Sequence, residues 1–432
     1  MRLFKQVLYD IGEQPLVSWI GVGGTALAIF LVMVVYMLNG ITGVEAAPEL
    51  NRSRMYYGAG FHVSHDKGDA SSSLSYEYAR EIYANLPGIE NVSYTTSWNN
   101  PKDFQYGNKE AVSARVMGTD NKFWEIYDFE FSEGQGFDKS DFESGLRKVV
   151  ITRALADRFF SKGEEVVGKT VMLDMVPYTI AGVVDNVNPL LEQTYAQVFY
   201  PFTATGADKS NKGDMPFFGA IKAHLLSKPD VDENKLRAEV EHRYKVINTR
   251  LKKDKMEAIY HMQPYSARIM AEGDFGTNTT PDIGGTRTRD IIVYLMLLLL
   301  PAINLSTMTR SRMRRRISEI GLRRAFGARK IDIIGQMLAE NMVVTLAGGI
   351  IGLILSLVFA ATASQYFAIM VSQWDMDTIQ MSTAPTLSML FNWTTFLFAI
   401  LFCLILNLMS AGIPAWIASR ENPALALSSR GK

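Results

Sequence analysis

Four long apolar runs constrain this chain more than any other feature of its sequence. Residues 16–38, 291–309, 342–363 and 393–417 contain no Asp, Glu, Lys or Arg. An α-helix needs about 20 consecutive apolar residues to cross a hydrocarbon core. The expected fold class is therefore a membrane protein with four transmembrane α-helices. The spans are placed at residues 16–38, about 288–309, about 340–364 and about 393–417. The second carries Pro301, and a buried core helix is the alternative for any one run taken alone. A cleaved signal peptide is the alternative for the first, with Ala46-Ala47 as its cleavage site. Its apolar core is longer than the usual 7–15 residues, however, and Gly21, Gly23 and Gly24 suit helix packing instead.

Orientation follows from where Lys and Arg cluster. The N-terminal tail, an amphipathic segment over residues 1–15, holds Arg2 and Lys5. The segment after span two holds Arg310, Arg312, Arg314, Arg315, Arg316, Arg323, Arg324, Arg329 and Lys330. The C-terminal tail holds Arg420, Arg430 and Lys432. The connection between spans three and four has Asp375 and Asp377 and no basic residue. Both termini and the basic loop are thus expected in the cytoplasm. Residues 43–287, inserted between helices 1 and 2, are expected outside the inner membrane, and residues 288–432 hold the other three spans.

Net charge at pH 7 is +0, which argues against nucleic acid as a partner. Cys403 is the single cysteine and lies in an apolar run, so no disulfide forms within the chain. The outer region, about 245 residues, is long enough for one or two subdomains with their own core. It mixes helical and strand patterns, an α+β reading. Residues 76–86 read as a helix ended by Pro87-Gly88. Residues 110–117 and 148–152 read as strands, with a helix over 153–160. Residues 169–173 and 178–184 read as a strand pair turning at Val176-Pro177. Residues 232–247 are amphipathic, with Leu236, Val240, Tyr244 and Ile247 on one face. Residues 273–286 read as a Gly/Thr-rich linker back to the membrane.

Gly163 to Thr170 matches the phosphate-binding G-x-x-x-x-G-K-T pattern letter for letter. That loop works only between a preceding strand and a following helix. Here a helix precedes and strands follow, and Glu164 and Glu165 would repel phosphate. The expected role is a turn. His62 and His65, with Asp66, could form part of a metal site, but nothing elsewhere in the sequence supplies the ligands to complete one, so no metal site is expected and the histidines are read as surface residues. No catalytic constellation is present, so the chain is read as a non-enzyme.

The most specific segment is Arg314-Arg315-Arg316-Ile317-Ser318-Glu319-Ile320-Gly321-Leu322-Arg323-Arg324-Ala325-Phe326-Gly327-Ala328-Arg329. It resembles the R-x-x-E-I-G-[IL]-R-[RK]-A-[LF]-G-A-[RS] stretch of the MacB/FtsX-like ABC transporter permease family. Val149-Val150-Ile151-Thr152, Gly168-Lys169 and Tyr178-Thr179-Ile180-Ala181-Gly182-Val183 resemble the family's periplasmic core domain. Asn304 and Asn422-Pro423-Ala424-Leu425-Ala426-Leu427 resemble its FtsX-like transmembrane part. The resemblance runs from about residue 149 to the end.

It implies that Arg316, Glu319, Ile320, Gly321, Arg323, Arg324, Gly327 and Ala328 form a loop that docks on a cytoplasmic ATPase. ATP and Mg would bind that partner chain, with no cofactor held here. It further implies a second permease, the same chain or a paralogue, and a mechanism in which ATP-driven motion is passed to the outer domain. Export or efflux, with a periplasmic adaptor and outer-membrane channel, is the favoured branch. Regulation of periplasmic cell-wall hydrolases and release of lipoproteins are the alternatives. Basic residues of the loop also suit membrane lipid headgroups. From spacing alone, Gly348, Gly352 and Ser356 form a small-residue strip on span three, available for packing within the chain or between two copies.

Overall fold

The computed structural model describes residues 15–40, 45–66, 68–209, 215–272, 279–282, 284–285, 287–289, 291–297, 299, 326–327, 329–372, 393–394, 396–401 and 404–405. Contacts divide the chain into two units. One comprises Gly40–Thr286 with Gln365–Met389; the other comprises Met1–Asn39, Arg287–Ser364 and Leu390–Lys432.

The first unit is built on β1 Met55–Gly58, β2 Phe61–His65, β3 Gly68–Ser72, β4 Ile89–Thr96, β5 Pro101–Gln105, β6 Val112–Thr119 and β7 Phe131–Gly134. Then follow β8 Lys148–Thr152, β9 Thr170–Leu173, β10 Val176–Val184, β11 Val198–Pro201, β12 Ile221–Ser227, β13 Met256–Ile259 and β14 Tyr265–Ser266. The helices, counted from the start of the chain, are α1 Pro15–Gly40, α2 Tyr76–Tyr83, α3 Phe123–Ile126, α4 Lys139–Glu143, α5 Arg153–Phe159, α6 Glu233–Leu251, α7 Ala267–Glu272 and α8 Lys330–Ser372.

Six strands pair in a closed circuit, β6-β11-β8-β10-β9-β5 and back to β6, which makes a small barrel. Closure removes sheet edges and encloses an apolar interior. That interior holds Phe104, Val116, Val149, Ile151, Leu173, Ile180 and Val198, capped by Leu155 and Phe159 of α5. β6 continues the sheet to β4, β12, β1 and β14. On one face of this half, α2 and α6 pack with Leu74, Leu225, Leu236, Val240, Tyr244 and Ile247. On the other, Met55, Tyr57, Phe123, Tyr127 and Phe199 form a separate cluster. Because both faces are covered, β1 is buried at every position and shows no alternation.

Local chemistry sets the helix boundaries. Ser75 accepts from the Tyr78 N–H at the start of α2, Asp138 and Asp141 form a capping box on α4, and Asp232 accepts from Asn234 and Lys235 N–H groups at α6. The orphan carbonyls at the end of α2 are met from outside the helix. Arg243 of α6 donates to the Ala84 carbonyl at 2.6 Å and to those of Glu81 and Ile82 at 3.2 Å.

The β9–β10 turn differs from expectation. It lies at Asp174-Met175, with φ +47° and +61°, and Val176 and Pro177 belong to β10. Two left-handed residues match the twist of a tight hairpin. Thr179 N–H donates to the Arg147 carbonyl on the β8 side. Two residues earlier, the Pro177 nitrogen faces that same side beyond the end of β8, so its missing N–H costs no ladder bond.

Most of α1, which runs for 26 residues, and most of α8, which runs for 43, lie in the second unit. Within α8, Met342–Thr362 is long and apolar enough to cross a membrane. Its 21 residues span about 31 Å at the helical rise. Residues 287–289, 291–297, 299, 393–394, 396–401 and 404–405 are helical. The rest of the expected second and fourth spans, including Asn304, and the 422–427 ending lie outside the described residues.

Candidate functional site

The small residues of α8 are where the two described apolar helices meet. A Cβ added to Gly348 would lie 2.7 Å from the Thr25 Cβ and 2.8 Å from the Val22 carbonyl oxygen of α1. One added to Gly352 would lie 2.7 Å from the Ala26 carbonyl oxygen and 3.1 Å from the Ile29 Cβ. One added to Gly349 would lie 2.6 Å from Ile400 Cδ1. Ser356 is buried, its hydroxyl donating to the Leu353 carbonyl. Two glycines one turn apart thus let α8 lie directly against the α1 backbone, a contact available only without side chains. Phe30 and Phe359 meet edge to face at 5.6 Å further along.

Thr25 fits this contact because its hydroxyl is turned inward, donating to the Gly21 carbonyl at 2.9 Å. Its methyl is thereby left toward α8. Gly23, expected to pack, is exposed, and a Cβ added there would meet nothing within 4 Å. Val22, Thr25, Ala26 and Ile29 do that work. Spacing on α8 could not reveal them, because α1 is apolar on every face.

Arg316, Glu319, Ile320, Gly321, Arg323, Arg324 and Ala328 lie outside the described residues. Gly327 is described. Its φ of +92° is a conformation that L side chains rarely adopt, so the chain turns there. Two residues on, the Arg329 N–H donates to Asp332 Oδ2 at 3.3 Å and α8 begins.

Residues 18–243 match the family of the MacB-like periplasmic core domain, and residues 291–423 match that of the FtsX-like permease C-terminal domain. The chain belongs to the MacB/FtsX-like family of ABC transporter permeases. It is 23% identical over 368 residues to the macrolide export ATP-binding/permease protein MacB of Acinetobacter baylyi, covering 82% of this chain and 51% of that one. It is 23% identical over 342 residues to the ABC transporter permease YknZ of Bacillus subtilis, covering 79% of this chain and 77% of that one. The chain spans about half the length, or less, of the ATP-binding/permease relatives that it matches. The periplasmic region of MacB from Actinobacillus actinomycetemcomitans aligns with 52% of this chain and 95% of that structure, at 16% identity and TM-score 0.36. As in its family, this is a membrane protein with an extracytoplasmic domain.

Within the MacB-like core match, the G-x-x-x-x-G-K-T segment follows helix α5 and precedes strand β9. Gly168 N–H donates to the Ile180 carbonyl at 2.8 Å, and Lys169 bonds Glu164 and lies over the Phe160 ring. The segment closes a turn in the barrel wall. His62, expected at the surface, is buried against His261.

The entry of the core domain is pinned by a buried pair that the sequence did not single out. Glu49 accepts from the Thr194 hydroxyl at 2.9 Å and faces Arg52 at 3.6 Å. Burial pushes the Glu49 carboxyl above its ordinary range, opposed by Arg52 and then by Thr194. His224 of β12 joins Thr95 Oγ1 at 2.8 Å and the Tyr127 hydroxyl at 2.6 Å. Burial holds it well below the ordinary histidine range, hence neutral.

Proposed function

We propose that this chain is the transmembrane subunit of an ABC exporter that couples ATP hydrolysis by a separate cytoplasmic ATPase to conformational work in its outer domain. The observation that carries the reading is the Gly348–Gly352 contact with α1. α8 starts just after the Gly327 turn that ends the basic loop, and α1 leads in sequence into the outer domain. Helices packed backbone to backbone move together. A displacement imposed at the loop is therefore passed to the entry of the outer domain.

In this reading the chain has four spans, with both termini and the loop from Arg316 to Ala328 in the cytoplasm and residues 43–287 outside the bacterial inner membrane. ATP and Mg bind the partner ATPase. The likeness to YknZ, named a permease and covered over most of its length, supports a separate ATPase. A second permease completes the transporter, with an adaptor and outer-membrane channel where the cargo must cross an outer membrane. Work is done on cargo already outside the inner membrane, because four spans with few polar residues make a poor hydrophilic tunnel.

The test is the reconstituted permease–ATPase complex. Glu319→Ala and the double change Arg323→Ala/Arg324→Ala are expected to abolish coupling of ATP hydrolysis to export while the complex still assembles. Full coupling in both variants would discard the docking loop. Labelling of engineered cysteines at 310–330 from outside intact cells would discard the topology.

A further inference from the structure

Two buried histidines of the outer domain are bonded to each other. His62 of β2 is 6% exposed and His261, between β13 and β14, is 7% exposed. His62 Nδ1 and His261 Nε2 are 2.7 Å apart. The ring planes differ by 5° and the centroids are 5.0 Å apart. With facing nitrogens so close, the rings lie end to end in one plane, not face to face. His261 Nδ1 is 3.0 Å from Thr280 Oγ1, and His62 Nε2 is 3.7 Å from Asp69 Oδ2. The line Thr280–His261–His62–Asp69 therefore joins β3, β2, the β13–β14 connection and the segment that leads from the outer domain toward residues 291–297.

A neutral imidazole has one N–H and one bare nitrogen. In the neutral line both short contacts are matched: Thr280 O–H donates to His261 Nδ1 and His261 Nε2–H donates to His62 Nδ1, while His62 Nε2–H, with no hydrogen-bond partner among the described residues, faces the Asp69 carboxylate at 3.7 Å. One added proton on His261 Nδ1 only reverses the Thr280 bond, the hydroxyl now accepting. A second proton must go to His62 Nδ1. That places an N–H on both facing nitrogens and two like charges in a buried site, so the bond cannot survive.

From β13 the residue opposite His62 is Ile259, and Glu257 is opposite Ser64. Asp69 also accepts from Ser64 Oγ at 2.7 Å, and Lys255 pairs with Asp66 at 3.5 Å. Tyr265 donates to the His261 carbonyl and Tyr83 to Gln263. Burial pushes the phenols of Tyr83, Tyr260 and Tyr265 up, so they stay neutral. Burial, then His62, holds His261 below the ordinary histidine range.

We propose that this line is an acid-sensitive latch on the segment that returns the chain from the outer domain to the apolar helices, closed at neutral pH and opened by double protonation. It adds regulation by external pH to a domain whose transport role does not depend on it. The test is hydrogen exchange of the full-length chain at pH 7.5 and pH 4.5, corrected for intrinsic rates, with histidine C2–H exchange titrated in parallel. Peptides covering 279–286 are expected to lose protection by at least roughly tenfold in acid, the equivalent of one pKa unit. His261→Gln and His62→Gln, which cannot titrate, should show no such acid-dependent loss. Equal protection at both pH values in the wild type, or the same acid loss in both variants, overturns the latch. If a variant does not fold, the wild-type titration decides: two separated steps support it, and two independent steps with one midpoint overturn it.

Discussion

Gly348 and Thr25 are locked together: a single carbon added to Gly348 would sit 2.7 Å from the Thr25 Cβ, inside any permissible contact. The neighbour that would have to yield is helix backbone and a β-branched side chain, neither of which can swing away. Gly348→Leu and Gly352→Leu should each cost about 1–3 kcal/mol through overpacking. Gly23→Leu, where nothing lies within 4 Å, should be nearly silent. Thermal unfolding in detergent separates the two outcomes. Under the proposed function, the two damaging changes should also lower ATPase stimulation.

Asp120 supplies a pH test of the outer domain. Its carboxyl accepts from Ser93 Oγ at 2.6 Å and from the Tyr94 and Phe123 N–H groups at 3.1 Å. These bonds favour the carboxylate, but burial outweighs them and pushes the group up to about 7. Between the unfolded value of 3.8 and about 7, the native state holds a proton that the unfolded chain has released. This group's contribution is therefore full below the unfolded value and is lost as pH rises toward neutrality. Asp120→Asn should flatten that part of the profile. Denaturant midpoints of the two proteins between pH 4.5 and 7.5 isolate it, because other titrating groups cancel in the difference.

The buried face of α6 carries the helical half of the outer domain. Leu236→Ala should cost about 2–5 kcal/mol, the usual range when a buried leucine leaves a cavity. Val246→Ala, at a position 48% exposed on the opposite side, should stay within about 0.5 kcal/mol. Chemical unfolding followed by far-ultraviolet circular dichroism reads both.

The lettering of a phosphate loop makes its own prediction. Lys169→Ala should leave nucleotide binding and hydrolysis by the permease–ATPase complex unchanged, since Lys169 serves Glu164 and the Phe160 ring. Gly168→Ala should nonetheless destabilise by about 1–2 kcal/mol, because a left-handed residue with a Cβ is strained. Nothing crowds Gly168, whose φ is +84°, so the cost arises from backbone alone. Loss of nucleotide response in Lys169→Ala would reverse this assignment.

Periodicity and punctuation make much of the outer domain legible in advance. β8 and the start of α5 fall where the short apolar run and its following residues place them, and the α6 face of Leu236, Val240, Tyr244 and Ile247 is buried. These signals are local: a run of β-branched residues or a spacing of three and four needs no distant partner to be read. The β9–β10 turn is misplaced by the same reasoning, because Pro177 looks like a turn residue unless the end of β8 is known.

What the sequence determined by itself was what each segment can bury and where charge is tolerated: the apolar runs, the basic loop, the small-residue strip and the family to which they belong. Tertiary structure alone decided the partners. The closed barrel, the Arg243 cap on α2, the meeting of His62 with His261 and the seating of Gly348 on Thr25 all join residues far apart in the chain. Such pairings depend on the shape and register of two surfaces at once, and neither surface carries a record of the other in its own spacing.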